Sequence, residues 1–457
     1  MSLKPMKNLL VLSFGILFLY TAYAGLMTLQ SSLNHDEGLG VASLSVMYGA
    51  LTISSMFLPA ILMKKLGCKW TIVASMFCYI SFTLGNFYPS WPTLITTSIL
   101  LGIGGAPLWA AKSAYITSLG SKYAEMVGKA TKDVVSHYFG IFFFICQTCR
   151  IWGNLISSLI FNLSPNAGES LGALNQTICG AGFCPIQSLA AENITGPSPS
   201  DTVLYTLLGC YTGCGVIAVL LIAIFLDTIK TKEETEQEKT QTICSMFFET
   251  FKHLKDKRQC LLIPLTLFSG LEQGFITGDF TRDYVTCAIG IRMVGFVIIS
   301  FGVTNAICAV VFGKLSQYTG RISIFLSGAF VQIACIIALL LWKPHAGQIA
   351  VFFVISGIWG IADAVWQTQI SSLYGILFEK NKEAAFANFC LWESIGFVIA
   401  FGYSTFLCVS VKLYILLSVI VIGIILYAVV EYIEYQKPST VVEKEPKENS
   451  SPIPVAA

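Results

Sequence analysis

Apolar runs of about 20 residues, the length that crosses a bilayer core, recur along the whole of this 457-residue chain. Twelve are read, at roughly 8–28, 41–63, 69–87, 92–118, 136–161, 202–227, 260–281, 293–312, 322–342, 348–373, 387–408 and 411–433. Lipid offers no water to satisfy backbone groups, so each run must be a helix. Composition agrees, with 55% hydrophobic and only 12% charged residues, against about 25% charged in a soluble domain. An all-α integral membrane protein of twelve transmembrane helices is expected. A net charge of +2 carries no nucleic-acid signal, so the placement of charge matters more than its sum.

Lys and Arg then orient the spans. One alternate set of connections holds most of the 28 basic residues, whereas the other holds only Arg282, Arg292, Lys343 and Lys412. Both termini are therefore expected in the cytosol. The 162–201 segment lacks Lys and Arg and carries the sequons Asn175-Gln-Thr and Asn193-Ile-Thr, so glycosylation on the far side is expected. Cys179 and Cys184, in "CGAGFC" of the same segment, would sit in an oxidising compartment. A Cys179–Cys184 disulfide is expected there, with two free thiols as the alternative. The remaining cysteines read as small packing residues.

The halves of the chain match at an offset that drifts slowly from 249 to 255. Gly25 meets Gly274, Gly40 meets Gly290, Tyr48-Gly49 meets Phe301-Gly302, and Gly67 meets Gly320. Gly102 and Gly105 meet Gly357 and Gly360. The division expected is a six-helix half at 1–227, a charged cytosolic linker with an amphipathic stretch at 228–259, and a second six-helix half at 260–436. A polar tail follows at 437–457. Lys4, Lys7 and Ala22-Tyr-Ala24 imitate a cleavable signal peptide, but the first span has a partner in the seventh and is expected to be retained.

Six plus six helices around a long middle loop is the layout of the major facilitator superfamily. That superfamily's loop motif reads roughly G-x-x-x-D-x-x-G-R. "GKLSQYTGR", from Gly313 through Gly320 to Arg321, resembles it, with Gln317 in place of the acid. The first-half copy, "AILMKKLGC", has Lys64 there. In the superfamily this acid belongs to a charge network that gates alternating access, so its loss from both copies argues against active transport.

Longer strings point to one branch. "GLMTLQSSLNHDEGLG" at 25–40, "SSMFLPAILMKKLGCK" at 54–69, "GIWGIADAVWQTQ" at 357–369 and "EKNKEAAFANFCLWESIGFVIAFGY" at 379–403 resemble the uncoordinated-93 family and its A-type homologues. The resemblance implies a major-facilitator-shaped membrane protein. Relatives regulate a two-pore potassium channel or escort Toll-like receptors, so it implies an accessory role as much as transport. The plasma membrane is the expected location, with an endosomal membrane as the alternative. The partners implied are the bilayer and a potassium channel or another membrane protein.

Charges inside the spans are the candidate site, since an intramembrane acid costs about 2.5–3.5 kcal/mol on insertion scales and faces protein or a wet cavity. In the fold resembled, spans one, four, seven and ten line a central cavity. They supply Tyr23 and Gln30, Lys112, Glu272 and Asp279, and Asp363, Trp366 and Gln367 respectively. Regular helical spacing puts Glu272 and Asp279 on one face, and likewise Asp363, Trp366 and Gln367. A polar cavity for an ion or small solute is expected, with structural pairing, such as Glu272 to Lys112, as the alternative. Arg150 in the fifth span and Glu393 in the eleventh are candidate charges at the interface between halves. No zinc spacing, phosphate loop or nucleophile elbow is present, so neither an enzyme, a cofactor nor a metal is implied. The reading is an accessory protein, with a secondary transporter as the alternative.

Overall fold

The computed structural model describes residues 3–34, 38–129, 131–162, 179–185, 200–229, 252, 254–378 and 382–436. The sequons at Asn175 and Asn193, most of the linker and the tail lie outside the described residues. Among the described residues the chain is helical throughout, with no strand. Ten helices are long and apolar enough to cross a membrane: α1 (Pro5–Leu33), α3 (Lys65–Gly85), α4 (Trp91–Val127), α5 (Tyr138–Asn162), α6 (Asp201–Phe225), α7 (Lys257–Ile289), α8 (Ile291–Phe312), α9 (Arg321–Leu341), α10 (Ala346–Tyr374) and α12 (Val409–Tyr435). Two shorter apolar helices, α2 (Leu39–Ser55) and α11 (Asn388–Gly402), complete the set. Large apolar side chains such as Phe144, Ile224, Phe330 and Leu341 point outward, as a lipid-facing belt requires.

α4 packs on α2 and α3, and α1 on α5 and α6; α8 packs on α10, and α7 on α11 and α12. Between these groups, α2 meets α11, α5 meets α8, and α1 meets α7. The starts of α1 and α7 share one face with the ends of α4, α6, α10 and α12. We call it the terminal face. The seam between the groups closes toward the opposite face. There Ser31 donates to the Gly278 carbonyl at 3.1 Å, the Ser32 and Thr286 hydroxyls lie 2.9 Å apart, and Tyr48 stacks on Phe397 at 4.1 Å.

Lipid tails are as apolar as leucine, so helices associate here through close packing rather than through a hydrophobic drive. Glycine makes that possible at two equivalent crossings. Gly25 meets Gly153 where α1 crosses α5, and Gly270 meets Gly396 where α7 crosses α11. A Cβ at Gly270 would stand 2.0 Å from the Glu393 carbonyl oxygen. A second glycine role explains what remains of the loop motifs. Gly67 (φ 71°, ψ 168°) and Gly320 (φ 76°, ψ 154°) share a conformation open essentially to glycine alone. Gly320 breaks the chain between α8 and α9 and Gly67 kinks it at the start of α3, so both motif copies keep the bend although they lack the acid.

The regular helix also fails at two places that matter for the site. Phe275–Thr286 in α7 and Trp366–Ile370 in α10 are π-helical. Such wide turns, often found at functional sites, rotate every following side chain relative to the regular spacing.

Candidate functional site

The polar residues expected in one cavity fall into separate groups. At the centre of the C-terminal helices, the Trp359 indole donates to Glu272 Oε2 at 2.5 Å, and the Asn305 amide donates to Asp363 Oδ2. Trp359, which donates to Glu272, stands one turn before Asp363 on α10, so Glu272 sits beside the turn that carries Asp363. Both acids are enclosed, at 0% and 3% exposure. Each keeps one oxygen, Glu272 Oε1 and Asp363 Oδ1, that receives no hydrogen bond.

Toward the terminal face, Glu393 Oε1 accepts from the Ser269 hydroxyl at 2.9 Å and from the Gln367 amide at 3.4 Å. Gln367 thus stays with the acids, whereas Trp366 does not. Its ring lies in the packing between Phe268 and Phe325, at 5.6 and 6.2 Å.

Asp279 belongs to a third group, near the opposite face. Lys412 Nζ of α12 donates to Asp279 Oδ1 at 2.8 Å and to the Ser404 carbonyl at 2.8 Å. Arg282 reaches Asp279 at 3.4 Å and pairs with Asp283 through Nε at 2.6 Å. Regular spacing aligns Asp279 with Glu272; the π-helical stretch that starts at Phe275 separates them. The same cluster accounts for Arg282 and Lys412, two of the four basic residues that fall on the sparsely charged side.

The N-terminal helices hold their polar residues apart from these acids. Lys112, only 2% exposed, does not pair with Glu272. Its ammonium lies 3.4 Å from the Trp109 ring centroid, with Phe142 and Phe143 at 4.4 and 4.9 Å, an aromatic enclosure in place of an anion. Tyr23 packs edge-on against Tyr20 and Tyr79. Gln30 donates to Ser43 at 3.4 Å, inside the α1–α2 contact. Arg150 does cross the seam, to the Phe301 ring of α8 at 5.5 Å, and its charge acts on both Glu272 and Asp363.

The motif arginine is held by a residue that the loop pattern does not contain. Arg321 meets the Glu431 carboxylate with two nitrogens, at 2.7 and 2.8 Å, fixing α9 to α12. Arg258, at the start of α7, likewise reaches Glu434 at 3.2 Å and the Leu377 carbonyl at 3.2 Å. Gly313 is a helical residue of the same loop approach.

The expected cysteine pairing is corrected. Cys179 bonds Cys287, in the last turn of α7, and Cys184 bonds Cys408, just before α12. The intervening Gly180–Gly182 turn is buried against Pro344 and Tyr284 at its first residue. The Phe183 carbonyl accepts from the Val409 amide at 3.0 Å. Docking against the C-terminal helices turns the two thiols toward different loops. Cys287 and Cys408 are thus bonded, not the simple packing residues expected. Lys412, Trp359, Asn305 and Ser404 were also missed as partners. A lysine on the sparsely charged side was the available signal for Lys412; the others offered none.

Twelve apolar helices in this arrangement define a multi-pass membrane protein of the major facilitator fold. The nucleoside transporter NupG superposes over 93% of this chain and 98% of its own, with a TM-score of 0.63 at 13% identity. The E. coli Fucose:proton symporter FucP does so over 93% and 99%, with a TM-score of 0.54 at 12% identity. At such identities the likeness concerns the fold alone. The model of the ion channel regulatory protein UNC-93 family matches residues 32–428, and the chain belongs to that family. "Protein unc-93 homolog A" of Xenopus laevis is 58% identical over 95% of this chain and 94% of its own. The Homo sapiens protein of the same name is 54% identical over 95% of both. The "Putative potassium channel regulatory protein unc-93" of Caenorhabditis elegans is 35% identical over 91% of this chain and 59% of its own.

Proposed function

We propose that this chain is a non-enzymatic accessory protein that regulates a potassium channel in the plasma membrane. The observation that carries the reading is the Arg321–Glu431 pair. The loop motif's basic residue is committed to α12, at 2.7 Å, where the superfamily's gating acid is replaced by Gln317. The name of the Caenorhabditis elegans relative supports a channel as the partner. Both termini are cytosolic in this reading, and the 162–201 segment, glycosylated at Asn175 and Asn193, lies outside. Two disulfides on the opposite face support that orientation, since such bonds persist in oxidising compartments. The domain plan is two six-helix halves, 1–227 and 260–436, joined by the 228–259 linker.

A second reading, a secondary transporter, is favoured by the Glu272–Asp363 pair alone, because enclosed acids with open oxygens suit ion coupling. Whole-cell currents of two-pore potassium channels, measured with and without this chain and with Asp363→Asn, test both. A current change that survives in the variant supports the accessory role. No effect on any channel of the panel, with solute uptake that the variant abolishes, would replace it with transport.

A further inference from the structure

We propose that Glu272 and Asp363 together hold one monovalent cation, either a hydrogen ion or an alkali metal ion, among the C-terminal helices. The inference stands apart from the channel reading, because it concerns a ligand and not a partner protein.

Hydrogen-bond chemistry makes the first argument. A carboxylate only accepts. Trp359 and Asn305 each supply one donor, to Glu272 Oε2 and Asp363 Oδ2. Glu272 Oε1 and Asp363 Oδ1 are buried and receive none. Glu272 sits beside the turn of α10 that carries Asp363, through its bond from Trp359, yet two acceptors cannot satisfy one another. A positive particle between them resolves both vacancies together.

Charge makes the second. Two bare carboxylates close together, away from water, repel strongly and are poorly solvated. The cation nearest in influence is Arg150 of α5, across the seam, and its guanidinium rests on Phe301 instead of touching either acid. The pair and Arg150 together leave at least one unit of negative charge, which a monovalent cation offsets. Glu393, held by Ser269 and Gln367, stands near the same group. The groups facing the pair are thus Arg150 from α5, Asn305 from α8, Trp359 and Gln367 from α10, and Glu393 from α11. A divalent ion would bring more positive charge than the pair and Arg150 leave unbalanced, at the same cost of burial.

The site couples to the seam through Arg150. Removing that charge leaves the pair intact and lowers the competition that a bound cation meets, so Arg150→Gln should bind more tightly. A purely structural acid pair would respond in no such way.

The test uses the purified full-length chain in lipid nanodiscs. Thermal unfolding is followed in sodium, potassium or N-methylglucamine chloride at equal ionic strength. Infrared absorption is scanned in parallel for the C=O stretch of a protonated carboxyl. Saturable stabilisation by sodium or potassium that is lost in Glu272→Gln and in Asp363→Asn, and reached at several-fold lower concentration in Arg150→Gln, establishes a metal ion. A protonated-carboxyl band lost in both acid variants, without any metal dependence, establishes a hydrogen ion. Absence of both signals in the wild-type chain overturns the proposal, and does so even if the acid variants fail to fold.

Discussion

Lys412 Nζ lies 2.8 Å from Asp279 Oδ1, and neither side chain reaches solvent, at 0% and 1% exposure. The two residues stand on different helices, α7 and α12, and join them near the face opposite the chain ends. Losing one partner of such a pair strands a buried charge, at about 3–5 kcal/mol. Lys412→Met and Asp279→Asn should each lower the melting temperature of the purified protein markedly. The double substitution should cost less than the sum of the two. Additive losses would show that the pair does not act as a unit.

The disulfides predict a definite peptide map. Non-reducing digestion should yield Cys179 joined to Cys287 and Cys184 joined to Cys408. Cys287→Ser should destabilise the protein by about 2–5 kcal/mol, the usual effect of removing a native bridge. Recovery of a Cys179–Cys184 peptide as the main product would refute this connectivity.

Glycine crossings predict a contrast within one residue type. Gly270→Ala would press a methyl group against the Glu393 carbonyl, and overpacking of this kind costs about 1–3 kcal/mol. Gly213→Ala, in α6 with open space around it, should be neutral or stabilising by up to about 1 kcal/mol from helix propensity. Paired melting curves of the two variants check it.

Arg321→Gln should free Glu431 and loosen the terminal-face end of α12. Both side chains are partly exposed, at 26% and 14%, so a loss of only about 1 kcal/mol is expected. Hydrogen exchange over residues 425–436 is the sensitive measurement, and unchanged protection there would argue that the pair is incidental.

Much of the fold was open to reading from the sequence because membrane spans announce themselves locally. A helix in lipid must satisfy its own backbone and be apolar over its whole length, and each of the twelve expected spans corresponds to one of α1 to α12. Gly67 and Gly320, matched by the repeat, adopt the same positive-φ conformation. Glu272, Asp363, Gln367, Arg150 and Glu393 were picked out by their charge or polarity and do gather around the seam side of α7 and α10.

What failed was placing residues on one face from regular spacing alone. Asp279 left the face of Glu272 across the π-helical Phe275–Thr286 stretch, Trp366 packs between Phe268 and Phe325, and no local pattern marks where a helix will widen. Cys179 and Cys184, close in sequence, bond residues 108 and 224 positions away.

The sequence alone determined which runs form apolar helices and which side chains would be costly to leave unpartnered among them. Only the tertiary structure decided the partners: Lys412 for Asp279, Trp359 for Glu272, Asn305 for Asp363, Glu431 for Arg321. Burial cost is a property of one residue in its medium, whereas pairing depends on how distant helices cross and rotate. The rotation was set by turns whose width local spacing does not record.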